Sequence, residues 1–202
     1  MKLSCYTYWL SLLLLAACTT DSTTSTPAQM PPSATRAQQA VASPPQTVVA
    51  FLRWYQQRHE QLNTMPTVPA ANDADTTNPY AVDFQAVDRY LQLLQRSGRV
   101  APTYLLTQRR YFQYAQDSLQ AHPQTDGPPS GLDYDRVLFT QDAEGQVALL
   151  LRSQPTQVSM SQDSAQVLYR WQESEMSEGP NLTFSLVRHN GQWLINAIRP
   201  TQ

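Results

Sequence analysis

Between residues 48 and 62 apolar side chains recur every three or four positions, at Val48, Phe51, Leu52, Tyr55, His59 and Leu62. That spacing lines one face of a helix and predicts a single amphipathic segment. Thr47 is its expected N-cap, and Pro44-Pro45 explain why nothing helical precedes it. His59 lies on the stripe and reads as a half-buried helix residue before it reads as a ligand or a base. A second helical pattern covers residues 84–96, with Phe84, Val87, Leu91 and Leu94 expected inward and Gly98 as the stop signal. The third opens at Pro102 and runs from about Thr103 to Leu119, with Leu105, Leu106, Phe112 and Ala115 as expected core. Residues 123–131 then form a Pro/Gly-rich loop.

Past that loop the pattern changes character. Residues 147–151 are a short apolar run, and residues 158–160, 165–172, 182–188 and 193–198 alternate between apolar and polar, the period of a half-buried strand. Asn190-Gly191, set between two such runs, is a strong hairpin signal because both residues of a type I′ turn need positive φ. Ser161-Gln162-Asp163-Ser164 reads as another turn, and Trp171 and Trp193 as sheet core. Helices first and an antiparallel meander after them predict an α+β fold, with the helices packed on one face of a curved sheet.

Two stretches do not follow this plan. Residues 63–80 hold Pro66, Pro69 and Pro79 among small polar residues and read as an exposed insertion. Asp73 and Asp75 in it have calcium-loop spacing, but Phe84 occupies the place of the bidentate Glu. The other stretch is the N-terminus. Lys2 supplies a positive start and residues 6–17 are mostly apolar, centred on Leu12-Leu13-Leu14-Leu15. This run falls short of the ~20 apolar residues that span a bilayer and fits the hydrophobic region of a secretory signal. It closes in Leu15-Ala16-Ala17-Cys18, which resembles the lipobox of bacterial lipoproteins. The resemblance implies a diacylglycerol on the Cys18 thiol, cleavage before Cys18 and acylation of its amine, and several acyl chains together hold a protein at a membrane. Thr19 stands where Asp retains lipoproteins at the inner membrane of enteric bacteria, which points to the outer membrane. Residues 19–45 are mostly Thr, Ser, Pro, Ala and Gln without apolar periodicity, a composition expected to form a disordered tether. The expected organisation is therefore a signal peptide at 1–17, a lipid-anchored linker at 18–45 and one α+β domain at 46–202.

Composition narrows the function classes. Charged residues are 15% of the chain, so neutral Gln, Thr and Ser must cover much of the surface. Lys2 is the one lysine, and without the signal peptide 13 Arg face 16 acidic residues, formally −3. A phosphate-tracking surface needs clustered cations, so nucleic acid is not an expected partner; Arg109-Arg110 read as a solvated helix face. The two cysteines, Cys5 and Cys18, sit too early to staple the domain or to build a thiolate metal site.

Three stretches of the domain carry a likeness. They are Val48-Val49-Ala50-Phe51-Leu52-Arg53-Trp54-Tyr55, then Leu132-Asp133-Tyr134-Asp135 leading to Gln141-Asp142, and last Leu186-Val187 with Gly191-Gln192-Trp193-Leu194-Ile195 and Ile198. Over about Thr47 to Arg199 the chain resembles an uncharacterised family of small exported bacterial lipoproteins with the cystatin-like cone fold of ketosteroid-isomerase-like and nuclear-transport-factor-like proteins. Arg136 stands where that family tends to have proline. The resemblance implies a fold and an address in the cell envelope, and no activity.

For chemistry the candidates are Asp133, Asp135 and Asp142, with Gln141 beside them and Tyr55 as a possible donor. Two carboxyls in one cleft can split their pKa values and do acid–base work. Alternatively, Asp and Gln cap turns through side-chain-to-backbone hydrogen bonds. A calcium loop opening at Asp133 would place Glu144 correctly, but Val137 and Leu138 fill positions that need an oxygen ligand and a glycine. His122 and His189 lie beside turns, and no catalytic triad order, phosphate loop or dinucleotide fingerprint is present, so neither metal nor cofactor is expected. Two functions remain: a non-catalytic domain binding a small molecule or an envelope protein, or a cone-fold hydrolase or isomerase using Asp133, Asp135 or Asp142. Their geometry discriminates, since acids around a cavity favour the enzyme and acids turned into backbone turns do not.

Overall fold

The computed structural model describes residues 42–69, 78–170 and 180–201. The expected signal peptide, Cys18, almost all of the expected tether, Asp73, Asp75 and Trp171 lie outside them. Five helices precede four strands: α1 (Pro44–Gln56), α2 (His59–Asn63), α3 (Phe84–Gln95), α4 (Pro102–Ala121), α5 (Ala143–Arg152), β1 (Gln157–Met160), β2 (Ser164–Tyr169), β3 (Asn181–His189) and β4 (Gln192–Thr201). The strands form one antiparallel meander in the order β1-β2-β3-β4, with α1 packed on β2, β4 and α5, and α4 on β4 and α3. The fold is α+β, helices against a four-stranded antiparallel sheet, as the patterning implies.

Local chemistry sets the helix ends. The cap of α1 is Ser43, not Thr47: the Ser43 amide donates to Gln46 Oε1 at 2.8 Å, half of a capping box, and Pro44-Pro45 occupy the first turn, where their missing N–H costs nothing. Thr47 is buried within the helix, which therefore opens two residues before the expected boundary at 46. The expected single stripe is also broken. Arg58 N donates to Tyr55 O at 2.8 Å, a tight closing turn, and α2 restarts at His59 with Leu62 still buried. His59 is half-buried, with Nδ1 3.0 Å from Gln56 O.

Two helices are rotated from the expected phase. Asp83 caps α3, its Oδ1 accepting from Gln85 N at 2.8 Å and Ala86 N at 3.2 Å, and the buried stripe is Ala86, Val87, Tyr90, Leu93 and Leu94. Phe84 and Leu91 flank it, half-buried. In α4 the buried residues are Tyr104, Gln108, Phe112, Ala115 and Leu119, whereas Leu106 is 55% exposed and Leu105 partly covered. Apolar spacing undercounts tyrosine and glutamine, and here those residues take core positions. Residues 147–151 are the second half of α5 rather than part of the strand region. The ends of the expected insertion are attached: Met65, Val68 and Tyr80 pack on the core, Asp83 N donates to Thr67 O, and Tyr80 N to Gln124 O, each at 2.8 Å.

The sheet buries one face. Ala165, Val167 and Tyr169 of β2, Leu182, Phe184 and Leu186 of β3, and Trp193, Ile195 and Ile198 of β4 face the helices. The β3–β4 turn is type I′, with φ of 48° at Asn190 and 79° at Gly191. The register shifts between Ser185 and Leu186, whose partners are Ala197 and Ile195, so Asn196 is the extra residue of a bulge. Beyond β4, Ile195 N donates to Arg99 O and Ala101 N to Ile195 O, both at 2.8 Å, tying the start of α4 to the sheet edge. At the other edge every residue of β1 is exposed, Val158 and Met160 included. Among the described residues no helix is long and apolar enough to cross a membrane.

Candidate functional site

Asp135 lies in the connection from α4 to α5 and is 6% exposed, an uncommon state for a carboxylate. Its surroundings account for it. Oδ1 accepts from the amides of Val137 at 3.0 Å and Leu138 at 2.6 Å, an Asx turn, and Oδ2 accepts from the Tyr55 hydroxyl of α1. The Asp135 backbone closes the same loop, its N–H donating to Thr140 O at 2.8 Å and its C=O accepting from Phe139 N at 2.9 Å. Phe139 is thereby held at φ 58°, a left-handed conformation unusual for a bulky side chain. The carboxylate pins the loop and bolts it to the first helix.

Of the remaining candidates, two share a cleft with Asp135 and one stands apart. Asp133 and Gln141 are exposed and line an open cleft of about 330 Å³ with Asn63, Leu132, Tyr134 and Asp135. Asp142 caps α5, with Oδ1 accepting from Gly145 N at 2.9 Å; a Cβ at Gly145 would meet the Asp142 carboxylate, which would have to shift. Tyr55 and Asp135 are thus brought into contact, Asp133 and Gln141 stand at the rim, and Asp142 serves its own helix. Among the described residues no three His, Cys, Asp or Glu side chains gather where a metal ion could be held.

Sequence spacing did not single out the polar cluster behind Asp135. Tyr55, Tyr90 and Tyr104 are all buried near its carboxylate. Burial, and then the Asp135 charge and its hydrogen bond, push the Tyr55 hydroxyl far above the ordinary phenol range. Tyr90 is raised by burial, then by Tyr104 and Asp135, against an opposing pull from Arg136. Tyr104 is raised by burial and Asp135, with Gln108, one turn on, and Arg136 lowering it. The Gln108 side chain is close enough to act on Tyr104 as a hydrogen-bonding neighbour, although the Tyr104 hydroxyl and Gln108 Oε1 both fall outside strict hydrogen-bond geometry.

Arg136 joins this cluster to the loop. Its guanidinium lies over the Tyr111 ring at 3.3 Å from the centroid, with Tyr134 and Phe139 rings at 5.2 and 5.4 Å. It donates to the Tyr134 hydroxyl at 2.5 Å, while its Nε is buried without a partner. Tyr111, whose hydroxyl donates to Gly131 O, is pushed up to about 12 by burial and by Tyr134, against the nearby Arg136 charge. The one sequence signal for this residue was its departure from the resembled family's proline; its aromatic cage comes from α4 and from residues 134 and 139.

Chemically, the arrangement offers an exposed acid on an open cleft and a deeper, cationic and phenolic interior. Comparison with known proteins finds no matching family model, curated protein or solved structure.

Proposed function

We propose that this chain is a lipid-anchored lipoprotein of the bacterial cell envelope, held through Cys18 at the outer membrane, and that its folded domain binds a small molecule or an envelope protein without catalysing a reaction. The anchor is supported by the positive start, the apolar run and Leu15-Ala16-Ala17-Cys18. The likeness to exported lipoproteins of cone fold rests on the three stretches named above, which fall on α1, on the Asp135 loop and on β3–β4.

One observation carries the choice of binding over catalysis: both oxygens of the Asp135 carboxylate are occupied, one by two backbone amides and the other by Tyr55. A general acid or base must reach a substrate proton, and Asp135 is turned into its own loop. Asp142 is likewise engaged with an amide of α5. Asp133 is exposed on an open cleft that Asp135 also lines, but the Asp135 carboxylate is already held by Tyr55 and two amides, which leaves Asp133 without a free acid to share a proton with.

Cys18→Ser tests the anchor. The wild-type chain is expected in the membrane fraction with a lipid mass on its N-terminal peptide, and the variant in the soluble fraction or as uncleaved precursor. Unchanged partitioning of the variant would overturn the anchor. Binding is tested by thermal shift of the full chain against small metabolites. A ligand at about 100 times its Kd stabilises by about 2.7 kcal/mol, a readable shift at this size.

A further inference from the structure

A cavity of about 270 Å³ opens between α4, β4 and the Asp135 loop, apart from the cleft that holds Asp133. Two cationic side chains line it, Arg136 and Arg199, and no carboxylate does. The Asp135 carboxylate, near Tyr104, does not line it and is held by Tyr55 and by two amides. Neither arginine has a carboxylate partner among the described residues. Tyr104 and Gln108 form part of its wall at 2% and 5% exposed, and the Tyr104 hydroxyl, Gln108 Oε1 and Arg136 Nε are buried without hydrogen-bond partners. Such groups are ordinarily satisfied, and leaving three of them unsatisfied in one place is costly. Phe139, held in its left-handed conformation by the loop, and Ile198 supply apolar wall.

We propose that this cavity binds a small organic carboxylate that also carries a hydroxyl group. Two guanidinium groups without a carboxylate partner select an anion, and a planar carboxylate matches the donor geometry of arginine. The Tyr104 hydroxyl and Arg136 Nε, as donors, and Gln108 Oε1, as acceptor for the ligand hydroxyl, are buried in the wall and reach the ligand by a small side-chain rotation. The volume lies just below the range of drug-sized sites, which sets the size at a single ring or a short branched chain. This rests on the binding part of the function proposed above and is independent of the anchor: its failure leaves lipidation at Cys18 intact, and a soluble Cys18→Ser variant would still bind.

The test is titration calorimetry of the full chain with mandelate, mandelamide and inorganic phosphate. Mandelate is expected to bind saturably at a single site. Mandelamide, which lacks the charge, and phosphate, which lacks the apolar body, are expected to bind at least tenfold more weakly. Arg136→Gln and Arg199→Gln should each weaken mandelate about tenfold, the loss of one hydrogen bond to a charged group. Tyr104→Phe removes a buried hydroxyl without a hydrogen-bond partner, so it should hold or raise Tm while weakening mandelate several-fold. Asp133→Asn should leave binding unchanged. Absence of saturable mandelate binding up to about 10 mM overturns the proposal. So does equal binding of mandelamide or phosphate, unchanged affinity in a folded Arg199→Gln variant, or a fall in Tm on Tyr104→Phe.

Discussion

At the scale of single residues, the Tyr55–Asp135 contact shows how one buried carboxylate organises its surroundings. It joins positions 80 residues apart and satisfies two loop amides. Removing the carboxylate orphans three donors at once. Asp135→Ala is therefore expected to cost about 3–4 kcal/mol in urea unfolding. Asp135→Asn should cost less, because its carbonyl oxygen still accepts from Val137 and Leu138 and the contact with the Tyr55 oxygen is what changes. Tyr55→Phe, which leaves Oδ2 short of a donor, should cost about 1.5–3 kcal/mol. If Asp135→Asn and Asp135→Ala were equally costly, the turn would not depend on the side-chain oxygen. Asp135 itself was visible in the sequence as a candidate; its partner Tyr55 was named only as a possible donor. Gln108 and Tyr104 were passed over because a polar residue on a helix is ordinarily solvated, and their burial depends on what faces them.

Among the elements, the turns and stops that need a positive φ were more legible than helix faces or the ends of α1. Gly98 and Asn190-Gly191 mark their stops and turns because positive φ is a local backbone demand, met with φ of 61° at Gly98. Gly191→Val should accordingly strain the β3–β4 turn and destabilise by more than 1 kcal/mol, with the loss of hairpin amide protection in hydrogen exchange as its signature. Asp142→Ala removes the α5 cap bond to Gly145 and should cost about 1 kcal/mol in thermal or urea unfolding. The phases of α3 and α4 were not readable from apolar spacing, since Tyr90, Tyr104 and Gln108 hold core positions that aliphatic residues such as Leu106 do not. Residues 147–151 show the same limit: an apolar run of five suits a buried strand or a helix face, and the Asp142 cap with the contact to α1 made it helix.

For the whole molecule, the buried phenols give a dependence on pH. Tyr55, Tyr90, Tyr104, Tyr111 and Tyr169 all have raised pKa values, so the folded chain keeps protons that the unfolded chain releases above pH 10. Their contribution is fully present below pH 10 and is lost as pH rises through the folded values, Tyr111 first at about 12. Urea-unfolding stability should fall above pH 10 with a slope of up to about 1.4 kcal/mol per pH unit for each such tyrosine, and Tyr55→Phe should make it shallower. A flat profile between pH 10 and 12 would show these phenols to be exposed. The sequence by itself determined the α+β class, the β3–β4 hairpin and the helix stop at Gly98, because apolar periodicity and positive φ are properties of neighbouring residues. Only the tertiary structure decided which polar side chains went inside: Tyr55 on Asp135, Arg136 over Tyr111, and Tyr104 with Gln108 behind the cavity. Whether a polar group can be buried depends on the partners it meets there, and those partners come from distant parts of the chain.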